Sequence, residues 1–153
     1  MSFNLNQIIK KSEPNQYKKR IKLLKNEKGF DTSNIEDVVE EVSKNIFKEK
    51  CKALVIYGEP QSGKTELMIA LVCKLLDMGK KTIFVVMNDS LTLEKQNYDR
   101  FKKVQQINPS PMQVSEFLDL PDKDKKSSLQ RVLFCRKNKS ELEKLLIATR
   151  FCE

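Results

Sequence analysis

Nine residues, GEPQSGKTE from Gly58 to Glu66, close the apolar run ALVIY and open an apolar helical pattern. Their types and spacing, G-x-x-x-x-G-K-[ST], are those of a loop that wraps a chain of phosphates. In such a loop successive backbone N–H groups converge on a β-phosphate, and the helix that follows contributes the positive end of its dipole. Gly58 and Gly63 permit backbone conformations that a side chain would obstruct. Lys64 would reach the β- and γ-phosphates, and the Thr65 hydroxyl would ligate Mg²⁺. Glu59, Pro60, Gln61, Ser62 and Glu66 complete the residues expected to line the nucleotide. The cofactors implied are ATP and Mg²⁺.

A cradle alone does not hydrolyse anything. A P-loop enzyme also needs an acid at a strand end, to hold the metal and place the attacking water. Three stretches could supply it. TIFVVMND ends in Asn88-Asp89 but comes directly after the loop's helix, early for that role. Asp119 and Asp122, in FLDLPDKD, follow no clear strand, and RVLFCRKNK ends in bases. Asp89 therefore reads as a helix cap before it reads as a catalytic carboxylate.

The elements that must position the loop follow from periodicity. KALVIY is a short continuous apolar run that suits a strand buried on both faces. TELMIALVCKLLDMG is a helix that stops at Gly79. KKTIFVVM is a second buried strand, and SLTLEKQNYDRFKKV a helix capped by Asp89 or Ser90. The stretch NPSPMQVSEFLDLPDKDKKSS is rich in turn formers and reads mostly as loop, with room for one short element. RVLFCRK is a third strand, and Ser140 with Glu143 forms a capping box for a last helix, SELEKLLIATRF. Upstream, NQYKKRIKLLKNEKG reads as a short basic helix ending at Gly29. DTSNIEDVVEEVSKNIFKEK places Ile35, Val38, Val39, Val42, Ile46 and Phe47 at helical spacing, with Ser33 and Glu36 as its capping box. Strands alternating with helices predict an α/β fold with a parallel sheet. The division expected is a helical extension over 1–50, basic then acidic, and a P-loop lobe over 51–153.

Composition narrows the function classes. The 153 residues are 39% apolar and 33% charged, with no apolar run long enough for a membrane span and no export signal. There is no histidine, and the four cysteines are far apart. Both facts argue against structural zinc, and the first removes Ser-His and Cys-His nucleophiles. A cytoplasmic protein with reduced thiols is expected. The formal charge is +8, and it is uneven: residues 1–28 carry eight Lys/Arg against two Glu, while 29–50 carry three Lys against six acids. A basic lobe suits a nucleic-acid partner, and it equally suits a plain lysine-rich surface.

The stretch LVIYGEPQSGKTELMIALVCKLLDMGKKTIFVVMNDSLTLEKQNYDRF resembles the first half of the Z-one-type ATPase domain. That family belongs to the superfamily 2 helicase-like motors and occurs in endonuclease-associated and phage-defence proteins. The resemblance rests on Gln61 to Thr65, on Asp77 to Gly79 at the helix end, and on the strand Ile83 to Met87. Leu93, Gln96 and Arg100 follow, then Lys137-Asn138 with Leu142, Leu145 and Leu146. It covers about Lys52 to Phe151. It implies a RecA-like lobe in which ATP binds at the carboxyl ends of parallel strands while nucleic acid, DNA more than RNA, crosses neighbouring loops. Gln96, Arg100, Lys102 and Lys103 are then contact candidates, with the Lys18-Lys19-Arg20 cluster as a further one; a solvated face is the alternative for all of these bases. The family's Leu-Arg is Leu93-Glu94 here. Its acidic strand would follow the last helix, beyond Glu153, so the expected partners include further domains of a longer chain. The isolated chain is then expected to bind nucleotide weakly and hydrolyse it negligibly. Two other readings remain: a non-hydrolysing nucleotide- or partner-binding module, and a nucleoside kinase of the thymidine kinase kind.

Overall fold

The computed structural model describes residues 15–48, 54–57 and 63–152. Gly58, Glu59, Pro60, Gln61 and Ser62 of the loop, and the start of KALVIY, lie outside the described residues. The elements are α1 (Gln16–Lys28), α2 (Ser33–Lys48), α3 (Lys64–Asp77), β1 (Thr82–Met87), α4 (Leu91–Lys102), β2 (Met112–Gln113), α5 (Val114–Leu118), α6 (Asp122–Lys125), β3 (Arg131–Arg136) and α7 (Lys139–Thr149).

The three strands form one parallel sheet in the order β1-β3-β2, with β3 in the centre. Register runs from Thr82 opposite Arg131 to Met87 opposite Arg136. Strand alternation sends Val85, Val132 and Phe134 to one face, where α3 and α4 cover them with Ile69, Val72, Cys73, Leu76, Tyr98 and Phe101. Leu133 and Cys135 point to the other face, under α5 and α7 with Val114, Phe117 and Ala148. The chain moves from β1 to β2 over the first face and returns from β2 to β3 over the second. Crossovers of one hand require that change of face when the direction reverses. This is the α/β, parallel-sheet P-loop architecture, with helices on both faces.

Helix α3 is apolar on more than one side because it is sandwiched. Its Ile69, Val72, Cys73 and Leu76 face the sheet, while Ala70, Leu67 and Leu71 meet Ile21 and Leu24 of α1 and Ile35 and Val39 of α2. A helix apolar nearly all round belongs in an interior. Helices α1 and α2 thus form an outer layer packed on the helix that follows the phosphate loop.

Several local expectations differ from the structure. Leu54–Tyr57 lie outside helix and strand, with Val55 92% and Tyr57 91% exposed, so the buried strand read in KALVIY is not formed there. The described ladders run only between β3 and its two neighbours, which leaves this segment without a strand partner. The polar stretch after Asn108 holds β2, α5 and α6. It is folded by Arg131, which is buried, donates to the carbonyls of Lys125 and Ser127 at 2.6 and 2.7 Å, and stacks over Phe117. Elements this short carry too few periods for hydrophobic spacing to reveal. The caps also shift. Asn138, not Ser140, caps α7 by accepting from the Glu141 amide at 3.0 Å, whereas at α4 one of the two expected caps forms, Ser90 accepting from the Leu93 amide. Ahead of α2, it is Thr32 whose hydroxyl donates to Glu36, at 2.6 Å. The glycine stops hold: Gly29 and Gly79 take φ of +58° and +82°.

Candidate functional site

The described part of the phosphate loop is its last turn. Gly63 stands at the start of α3 with φ +80°, a left-handed conformation that a β-carbon disfavours. Lys64 is the first residue of α3 and is exposed. It lines a cavity of about 280 Å³ with Asn34, Ile35, Val38, Ile56, Tyr57 and Leu67. A helix N-terminus presents backbone N–H groups without intrahelical partners, together with the positive dipole end. With the lysine beside it, that donor set fits a phosphate chain.

Thr65 is held from the side by α4. Its hydroxyl donates to Asn97 Oδ1 at 3.3 Å and accepts from Arg100 Nη1 at 3.5 Å. A hydroxyl has one proton and two lone pairs, so one lone pair remains for a metal ion. Asn97 is in turn fixed by donating its amide to the Leu93 carbonyl at 2.9 Å. The sequence reading missed Asn97. The available signal was its spacing, three residues before Arg100 on the same helix, where side chains share a face.

Glu66 is placed by α1. Its carboxylate accepts from Arg20, which is only 4% exposed and reaches Gln106 Oε1 at 3.4 Å with its other terminal nitrogen. The Arg20 Nε is buried without a partner. An unsatisfied buried donor costs about 1–3 kcal/mol, so the arrangement is retained against an energetic penalty. The KKR cluster is therefore split: Lys18 and Lys19 are exposed, and Arg20 is inside. Further along, Arg20, Glu66 and Ile69 line one cavity of about 410 Å³ together with Arg100, Lys103 and Val104. Sequence candidates from two distant segments thus meet across α1, α3 and α4. Lys102 is turned away, its ammonium over the Tyr98 ring at 5.0 Å, and Gln96 is exposed.

At the carboxyl ends of β1 and β3 lies an ion-pair network. Arg136 meets buried Glu94 at 3.2 Å, Asp89 at 3.8 Å and buried Glu141 at 4.0 Å. Asp89 also accepts from the Asn138 amide at 2.9 Å. Asp89 is thus an ion-pair partner at the strand ends, and Glu94, the departure from the Leu-Arg pattern, neutralises Arg136. No group of three or more acids, cysteines or histidines among the described residues is arranged to hold a metal ion. Burial pushes the Cys73 thiol up to about 12, only partly offset by the nearby Arg20 charge, so this cysteine is packing and not a nucleophile.

Comparison with protein families matches residues 32–149, from the residue before α2 to the end of α7, to the family described as type III restriction enzyme, res subunit. Helix α1 precedes the matched region. No curated protein and no solved structure matches the chain.

Proposed function

The chain belongs to the family of the type III restriction enzyme res subunit, a family of helicase-like P-loop ATPases, and from that premise we propose that it binds ATP with Mg²⁺ as the nucleotide-holding part of a DNA-acting motor. The observation that carries the reading is the start of α3, where left-handed Gly63, exposed Lys64 and the Thr65 hydroxyl follow one another at a helix N-terminus. The backbone amides and Lys64 would bind the phosphates, and Thr65 would offer its remaining lone pair to the metal. Bound Mg²⁺ neutralises phosphate charge and polarises the transferred group. Asn97 and Arg100 orient the Thr65 hydroxyl from α4, which also carries Gln96 and precedes Lys103, the candidates for nucleic-acid contact. The finer kinship, to the Z-one-type branch, rests on Gln61, Asp77 to Gly79 and Lys137-Asn138.

A second reading, a nucleotide-binding module without turnover, is favoured by one observation about these 153 residues. Asp89, the strand-end acid nearest in sequence to the loop, is engaged by Arg136 and Asn138. The family match favours the helicase-like reading over a nucleoside kinase.

The test is Lys64→Ala, read by ATP titration of the chain in the presence of Mg²⁺. A lost charge-assisted contact of about 1.5–3 kcal/mol predicts affinity lower by roughly ten- to a hundredfold. Unchanged affinity would refute the cradle. The unsubstituted chain should hydrolyse ATP negligibly with or without DNA, and clear DNA-stimulated turnover by it would overturn the module reading.

A further inference from the structure

Two side chains of α4, three residues apart on one helical face, act on the Thr65 hydroxyl in opposite ways. The hydroxyl donates its one proton to Asn97 Oδ1 at 3.3 Å, and Asn97 is itself anchored by donating to the Leu93 carbonyl at 2.9 Å. This turns the proton toward α4 and leaves the oxygen's lone pairs clear of it, as a metal ligand requires. Arg100 Nη1 stands 3.5 Å from the same oxygen and takes one of those lone pairs. At that length the hydrogen bond itself is weak, but a full charge acts over longer distances. Arg100 is exposed, and among the described residues no carboxylate pairs with it. Glu66, the acid that lines the same cavity, is bound to Arg20. The guanidinium charge at Thr65 is therefore not neutralised by a neighbour.

We propose that Arg100 is a latch on the phosphate loop: while it rests on Thr65 it opposes a divalent cation at that hydroxyl, and it must leave before metal-loaded nucleotide is held. A guanidinium and a divalent cation on one hydroxyl oxygen repel each other with nothing between them. Asn97 prepares the oxygen for the metal and Arg100 keeps the metal off. A long, exposed side chain leaves by changing rotamer, and its departure unties α4 from the start of α3. The coupling is reciprocal, so whatever draws Arg100 away from Thr65 raises the affinity for metal-loaded nucleotide by the same factor. The inference rests on nucleotide binding by the 58–66 loop, and adds to it a control over the metal exerted from α4.

The experiment titrates ATP into the full chain by calorimetry, once at saturating Mg²⁺ and once in EDTA at matched ionic strength. The ratio of the two affinities is the contribution of the metal. Relative to the parent, Arg100→Ala should raise this ratio about three- to tenfold. Arg100→Gln keeps a donor for Thr65 but removes the charge, so it should raise the ratio as Arg100→Ala does. Asn97→Ala, which frees the hydroxyl proton to turn toward the metal's side, should lower the ratio about threefold. Damage to the packing of α4 would move the Arg100 and Asn97 variants the same way, and far-UV circular dichroism checks each fold. The latch is overturned if Arg100→Ala leaves the ratio unchanged or lowers it, or if Arg100→Gln keeps the parent's ratio. An equal loss of ATP affinity with and without Mg²⁺ in Arg100→Ala is one such result, and would make Arg100 a phosphate contact instead. If Lys64→Ala still lowers ATP affinity while the Arg100 variants keep the parent's ratio, the cradle stands and the latch alone fails. If the parent binds no ATP, both fall.

Discussion

A β-carbon built on Gly63 would meet Phe30 Cζ at 3.2 Å, and the residue already sits at φ +80°. Both effects act against Gly63→Ala. The left-handed conformation alone costs an L-residue about 1–2 kcal/mol, and the Phe30 ring must also give way. Urea denaturation should show a loss of that size, and ATP affinity should fall with it, because this φ aims the amides at the start of α3. A variant as stable as the parent would show that the turn relaxes without strain. The glycine was legible from the loop pattern; its neighbour was not, since Phe30 lies 33 positions earlier and only the packing of α2 beside α3 brings it near. Arg20 shows the same limit from the other side. Read as part of a KKR run it is a surface charge, yet with Tyr17, Ile21 and Leu24 it occupies one helical stripe. That stripe is the buried one, and the periodicity outweighs the charge.

Between elements, the decisive contact is made by the end of one helix on the start of another. Asp77 closes α3, and its two carboxylate oxygens accept from the Gln16 and Tyr17 amides at 3.0 and 2.9 Å. These are the first free N–H groups of α1, whose own N-cap residue, Asn15, makes no side-chain cap bond. A carboxylate there is favoured by hydrogen bonding and by the helix dipole together. Asp77→Ala should therefore lower global stability by about 1–2 kcal/mol in urea denaturation and accelerate amide exchange in the first turn of α1. If exchange in α1 is unchanged, the contact is dispensable. Sequence reading saw Asp77 only as the end of a helix. A cap supplied by a residue 60 positions away leaves no local pattern. The long elements were legible for the opposite reason: α3, β1, α4, β3 and α7 each span enough residues to show their period and bury a continuous face. β2, α5 and α6 are two, five and four residues long, and tertiary partners such as Arg131 define them.

For the molecule as a whole, the question is whether the N-terminal layer is an appendage or part of one folding unit. Helix α1 lies before the matched region of the family, yet several contacts bind it to the rest, among them Asp77, the Arg20 to Glu66 pair, and Gln16, which exchanges two hydrogen bonds with the Asn108 backbone at 2.9 and 2.8 Å. Between these ties Leu24 and Ile21 are 0% and 7% exposed against α2 and α3. Burial of two such side chains stabilises by about 1.5–3 kcal/mol each, and each hydrogen bond adds about 0.5–1.5 kcal/mol. Domains of this size have roughly 5–15 kcal/mol in total, so α1 accounts for a large share of it. Removing residues 1–28 should therefore lower the urea midpoint by a third or more, and the full chain should unfold in a single transition. The truncated chain would also leave Glu66 without Arg20 beside Thr65, so its ATP affinity should fall even where it remains folded. A truncation that keeps the parent's midpoint, or a full chain with two separate transitions, would make α1 an independent appendage and leave Arg20 no part in ordering the phosphate-binding helix.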